Sequence, residues 1–293
     1  LSVERPPRRI CSLLPSASEI IAELGLEHSL VGVSDECRWP ATLVGKPVVS
    51  SAQIDPAALS SAQIDKRVRE STADGRSLYA VDAELIDSLK PDLIVTQDLC
   101  AVCAVSSGDL ATACPLDTEI LSLDPCTLED VAETVLALAR RLDVEERGEA
   151  IVADMWEKVR SVEQAVAGLE RPRVFLAEWI DPPYCPGHWI PEMIERAGGI
   201  SVLGRIDEPS CAVGWEQVLA QAPDLIVIAP CGFDAGGAAE RAAGLDLPCR
   251  AVAVDSDSYY ARPAPRLADG VRQLGHLLHP NAVPDPGLPA IEL

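Results

Sequence analysis

Six residues of this chain stand out as suited to chemistry: Cys37, Cys100, Cys103, Cys185, His188 and Cys231. Thiolate sulfur and imidazole nitrogen are the donors that a soft or borderline metal such as Zn²⁺ takes, and a thiolate is also a nucleophile. Cys100 and Cys103 have the Cys-x-x-Cys spacing of a redox pair or a metal half-site. No second close pair follows at zinc-finger spacing. A metal centre would therefore have to be assembled from distant loops, with Cys37, Cys100, Cys103, His188 and Cys231 as its candidate ligands. The plainer alternative is a set of thiols that pack as small apolar side chains. Cys11, Cys114, Cys126, Cys211 and Cys249 read as structural in that sense. Glu178 and His188 are the candidates for an acid or base, and each reads equally as a hydrogen-bonded group at a strand end or in a loop.

These residues share a position. In open α/β sheets, ligands bind outside the carboxyl ends of the strands. Apolar, β-branched runs predict strands at Arg8–Leu14, Val31–Ser34, Leu93–Thr96, Ile120–Leu123, Arg173–Glu178, Leu225–Ala229 and Ala251–Asp255. Cys37 and Trp39 follow the second of these, and Gln97, Cys100 and Cys103 the third. Trp179, Tyr184, Cys185, His188 and Trp189 follow the strand that opens at Arg173. Cys231 and Phe233 come next, and Tyr260 and Arg262 follow the last strand. Aromatic residues make up 4% of the chain. Residues this scarce would normally go to the core, so their gathering on loops points to a large flat or apolar ligand held by aromatic faces.

The elements that must position these loops repeat. Ser88–Thr96 and Ala220–Ile228 each carry Pro-Asp-Leu-Ile-Val, at Pro91–Val95 and Pro223–Val227. Each is the joint at which a helix ends and a buried parallel strand begins. Strand and helix alternate on either side, which predicts α/β architecture with two doubly wound lobes of mainly parallel sheet and a ligand cleft between them. Ser16–Glu19 has the spacing of a capping box, for a helix ending at Gly25. Thr127–Leu142 and Val144–Leu169 are helical by apolar spacing and lack proline. They predict a long stiff connecting helix and little relative motion of the lobes. The expected division is an N-terminal lobe over 1–126, linking helices over 127–170 and a C-terminal lobe over 171–293. Ser50–Asp55 and Ser60–Asp65 both read Ser-Ser-Ala-Gln-Ile-Asp. This single local duplication is placed in an irregular surface segment reaching to about Ala80.

Bulk properties exclude some functions. With a formal charge of −22, the chain has no means of gripping a phosphate backbone or an anionic membrane face, so neither nucleic acid nor membrane insertion is expected. No apolar run is long enough to span a bilayer. The N-terminal residues show no signal-peptide core, and ten cysteines are too sparse for a disulfide-stapled scaffold. Reduced thiols in the cytoplasm are the expectation, or a periplasmic or extracellular site if a leader has been removed.

Taken together, several segments resemble a known family. Leu14-Pro15-Ser16-Ala17-Ser18-Glu19, the two Pro-Asp-Leu-Ile-Val joints, the long helix, Gly187-His188-Trp189 leading to Ala197-Gly198-Gly199, and Tyr260-Ala261-Arg262-Pro263 are similar to the helical-backbone metal-receptor proteins. These are the substrate-binding proteins of cobalamin, haem and iron-chelate importers. Asp35-Glu36-Cys37, Leu99–Ser106 and Pro230-Cys231-Gly232-Phe233 resemble a cysteine-bearing branch named for cobalamin binding. The resemblance implies two Rossmann-like lobes joined by a rigid backbone helix, a cobalamin or other corrinoid as ligand, and a transporter partner if the chain is exported. The candidate ligand contacts are Ser16, Cys37, Trp39, Gln97, Glu178, Trp179, Tyr184, His188, Trp189, Phe233, Tyr260 and Arg262. The alternative from another class is a cytosolic metal- or thiol-dependent enzyme using the Cys/His residues.

Overall fold

The computed structural model describes residues 6–98, 105, 106, 108, 110 and 118–293. In chain order the described elements are β1 (Ile10–Ser12), α1 (Pro15–Glu23), β2 (Leu30–Ser34), β3 (Val48–Ala52), α2 (Ser61–Ala73), β4 (Tyr79–Val81), α3 (Ala83–Leu89), β5 (Leu93–Thr96) and β6 (Glu119–Ser122). They continue with α4 (Leu128–Arg141), α5 (Glu145–Val166), β7 (Arg173–Ala177), β8 (Trp179–Ile180), β9 (Pro183–Tyr184), α6 (Ile190–Arg196), β10 (Ile200–Ser201) and α7 (Trp215–Ala220). The last are β11 (Leu225–Ile228), α8 (Ala235–Ala242), β12 (Arg250–Val254), α9 (Ser256–Tyr259), α10 (Leu267–Leu278) and β13 (Ala290–Glu292).

Two large sheets result, as the alternation requires, beside the two-stranded β8–β9 hairpin. The first runs β4–β3–β2–β1–β5–β6 and is parallel except for β4. The second runs β10–β7–β11–β12–β13 and is parallel except for β13. Two compact units hold them. One comprises residues 1–59, 63–125 and 132–152, and the other 60–62, 126–131 and 153–293. The linking segment 127–170 is divided between the units. α5, at 22 residues, is about 33 Å long.

The two Pro-Asp joints are built on the same plan. Asp92 accepts the Arg8 and Arg9 amides at 3.0 and 2.9 Å, and its own amide donates to the Arg9 carbonyl at 2.8 Å. Asp224 accepts the Arg173 amide at 2.7 Å and donates to the Arg173 carbonyl at 2.8 Å. The Arg9 Nε–H then closes the preceding helix by donating to the Leu89 carbonyl at 2.9 Å, and the Arg173 Nε–H does the same at Gln221, at 2.7 Å. Each joint thus ties a helix end to the first strand of its sheet and satisfies carbonyls left open there.

Some local expectations are corrected. α1 has Leu14 at its N-cap and Pro15 at N1, without a side-chain cap, so the Ser16–Glu19 capping box does not form. Proline's fixed φ suits the first helical position, and Glu19 is instead fully buried. Gly25 does end the helix, at φ +76°. The segment through Ala80 is regular: β3, α2 and β4 occupy it. Thr127 and Asp130 form the expected cap of α4, with reciprocal bonds of 2.9 and 3.1 Å.

Candidate functional site

In the second unit, the loops after β7, β11 and β12 are stitched together at the carboxyl edge of the sheet. The Cys231 amide donates to the Glu178 carbonyl at 3.1 Å, and the Ser256 and Asp257 amides both donate to the Phe233 carbonyl at 3.1 Å. The buried Ser256 hydroxyl donates to the Ala229 carbonyl at 2.8 Å. On this base stands the β8–β9 hairpin, which pairs Trp179 with Tyr184. Trp179 and Phe233 are half-buried with ring centres 6.1 Å apart, and the Arg241 guanidinium lies 4.1 Å over the Phe233 ring. Half-exposed aromatic faces backed by a rigid sheet can take a flat ligand with little ordering cost.

Glu178 and His188 are less free to act as acid or base than their types suggest. The Glu178 carboxylate accepts the Gly187 amide at 2.6 Å, so it fixes the turn that carries His188. Gly187 has to be glycine, because a Cβ there would collide with the Ser210 backbone. The His188 amide donates to the Glu208 carbonyl at 2.7 Å, and its carbonyl accepts the Asp207 amide at 3.1 Å. Burial holds the imidazole below the usual histidine range, opposed by the Asp207 charge. The unfolded chain therefore takes up this proton first as pH falls. The stability contribution is complete above the ordinary histidine value of about 6.5 and is lost as pH drops toward the lower folded value. Melting between pH 7 and pH 5 is expected to show a steeper loss of midpoint in the wild type than in His188→Gln.

Trp189, Tyr260 and Arg262 are committed to protein partners. Trp189 is 7% exposed, and its indole N–H donates to the Tyr260 carbonyl at 2.8 Å. Tyr260 is buried, its hydroxyl donating to Gln273 Oε1 at 2.7 Å, and burial together with the Asp255 charge raises its pKa. Arg262 forms a forked ion pair with Asp257, at 2.7 and 2.9 Å. Trp39, Trp179, Tyr184, His188 and Phe233 keep part of their surface accessible.

In the first unit, Ser16 and Gln97 are buried at the carboxyl ends of β1 and β5. The Cys37 thiol is buried 3.0 Å from the Ser18 hydroxyl, and Trp39 is 46% exposed. A shallow concavity of about 530 Å³ on this unit is lined by β3, β4 and the start of α3, and none of the candidate residues lines it.

The metal centre is corrected. Among the described residues, no group of three or more His, Cys, Asp or Glu side chains could hold a metal ion, and Cys100 and Cys103 lie outside the described residues. Cys37, His188 and Cys231 make no such centre, and the enzyme alternative that depended on it has no support. Cys211 also departs from expectation. It is exposed, with its sulfur 3.2 Å from that of Cys185. Twenty-six positions separate the two, a distance at which sequence spacing carries no signal.

Comparison with known proteins adds to this geometry. A family model described as periplasmic binding protein matches residues 10–246. The chain is 27% identical over 278 residues to a vitamin B12-binding protein of Vibrio cholerae, covering 92% of this chain and 88% of that protein. It is 23% identical over 297 residues to an uncharacterised ABC transporter substrate-binding lipoprotein of Bacillus subtilis, covering 96% and 83%. Two solved structures share the fold. A periplasmic haem-binding protein from Pseudomonas aeruginosa superposes with a TM-score of 0.70 at 20% identity, covering 94% of each chain. The periplasmic vitamin B12-binding protein of Vibrio cholerae gives 0.64 at 22% identity, covering 94% of this chain and 98% of that one. These findings overturn the cytoplasmic expectation, since the matching family and the relatives are described as periplasmic or as lipoproteins. The thiol count misled because a buried cysteine such as Cys11 is chosen as a small apolar side chain, whatever the redox state outside.

Proposed function

The chain belongs to the periplasmic binding protein family, and from that membership we propose that it is the binding component of an importer whose ligand is a cobalamin or related corrinoid. The observation that carries the ligand class is the 27% identity, over 92% of the chain, to a protein described as vitamin B12-binding. The half-buried Trp179–Phe233 pair supports it as a surface suited to a broad, flat, largely uncharged ring. The net charge of −22 disfavours strongly anionic chelates, which would meet long-range repulsion on approach. Trp179, Tyr184 and Phe233 would contact the ring, and His188, on the loop that follows the same strand as Trp179, would offer it an imidazole whose pKa burial lowers.

Parallel calorimetric titrations with cyanocobalamin, haemin and a ferric hydroxamate test the reading. Saturable binding of cyanocobalamin at low micromolar concentration or below is expected, and weaker binding of the other two. No heat from cyanocobalamin at high micromolar concentration, or tighter binding of haemin or the hydroxamate, would reject it.

A further inference from the structure

We propose that Cys185 and Cys211 are a disulfide-forming pair whose closure locks the loop 203–214 onto the segment carrying Gly187, His188 and Trp189. The backbone already brings the two segments together. The Val213 amide donates to the Pro183 carbonyl at 2.8 Å, and the Cys185 amide to the Cys211 carbonyl at 2.9 Å, with Tyr184 and Ala212 bridged between them. The Ser210 hydroxyl donates to the Cys185 carbonyl at 2.6 Å. Glycine permits the approach at two points: a Cβ at Gly187 would strike Ser210, and one at Gly204 would strike the Pro186 carbonyl. The sulfurs lie 3.2 Å apart, so they need close by little more than about 1 Å to reach bonding distance.

The loop has reason to need a lock. His188, Leu203 and Asp207 take φ values of 50°, 67° and 66°, a region that strains residues other than glycine. Surrounding structure must over-determine such conformations, and one covalent tie between the strands of this loop does so.

The roles of the two sulfurs differ. Burial, followed by the contact with Cys211, pushes the Cys185 thiol up to about 12, while Cys211 is exposed. Cys211 therefore attacks first. Its thiolate takes one sulfur of a low-molecular-weight disulfide such as oxidised glutathione, and the other half leaves as a thiolate. Cys185 then gives up its proton and attacks the Cys211 sulfur of this mixed disulfide, expelling the second half. The protein loses two protons and two electrons, and the donor becomes two thiols. The location now expected for this family is a compartment in which such bonds persist.

The test is independent of the ligand assignment. The full chain is equilibrated in oxidised and reduced glutathione, alkylated, and cleaved without reduction by trypsin and a glutamate-specific protease. Cleavage at Glu216 separates Cys211 from Cys231. A joined pair of peptides bearing Cys185 and Cys211, lighter than the reduced pair by two hydrogens, is expected. So is slower hydrogen exchange at the Asp207 and Val213 amides of the oxidised form. Cys211→Ser, at an exposed position, should fold, give no joined peptide, and melt roughly 5–10 °C below the oxidised wild type. Full alkylation of both cysteines, recovery of either with a different cysteine, or a link that leaves exchange at Asp207 and Val213 unchanged overturns the proposal.

Discussion

Trp189→Ala is expected to lower the unfolding free energy by about 3–5 kcal/mol, the usual range for removing a large buried aromatic side chain. The residue is 7% exposed and opens α6 beside the buried Met193 and Ile194. Two losses add. The indole leaves a cavity that the surrounding helices fill only in part. Its N–H also leaves the Tyr260 carbonyl, a buried acceptor, without the 2.8 Å donor. Tyr260 is held in turn by Gln273, whose amide donates to the Pro289 carbonyl at 3.0 Å, so the damage reaches α10 and the segment leading to β13. Chemical denaturation followed by circular dichroism measures it, as does a thermal midpoint lower by roughly 10 °C or more. A loss below about 1 kcal/mol would mean that Trp189 is not part of the core.

Much of the architecture was legible because it is written in local chemistry. The runs Leu93–Thr96 and Leu225–Ile228 are buried throughout and apolar except for Thr96, as strands covered on both faces tend to be, and each follows a Pro-Asp pair whose aspartate caps the neighbouring strand. The duplicated hexapeptide shows where local reading stops. Ser50–Ala52 is part of β3, whereas Ser61–Asp65 opens α2. Pro56 disfavours a helical conformation at Asp55, the last residue of the first copy, and only a short 3-10 turn, Pro56–Ala58, follows it. The second runs into Lys66–Glu70, where Asp65 pairs with Arg69 at 2.5 Å and Lys66 with Glu70 at 3.8 Å. Neighbouring residues, not the hexapeptide, decide the outcome. The site was legible as a set of loops but not as a set of contacts. Trp179 and Trp189 belong to one loop by sequence, and packing alone assigns one to a half-open face and the other to the core.

That separation makes the second prediction a direct test of the ligand surface. Trp179→Ala should weaken corrinoid binding several tens of fold and lower the unfolding free energy by less than about 1.5 kcal/mol. A large aromatic side chain offers about 150–250 Å² of surface. If roughly 100 Å² of it is covered by ligand, the apolar term is about 2.5 kcal/mol, a factor of several tens in affinity. Phe233 cannot substitute, since one of its faces is already taken by Arg241 at 4.1 Å. Calorimetric titration of the variant with cyanocobalamin, beside Trp189→Ala titrated at a temperature where it remains folded, gives the comparison. Trp179→Ala should lose affinity at a small cost in unfolding midpoint, including its indole bond to the Ser61 carbonyl at 3.1 Å, and Trp189→Ala should keep affinity at a large cost. If both lose stability alike and bind alike, the Trp179–Phe233 pair is an extension of the core, and the ligand must be held by other loops at the strand ends.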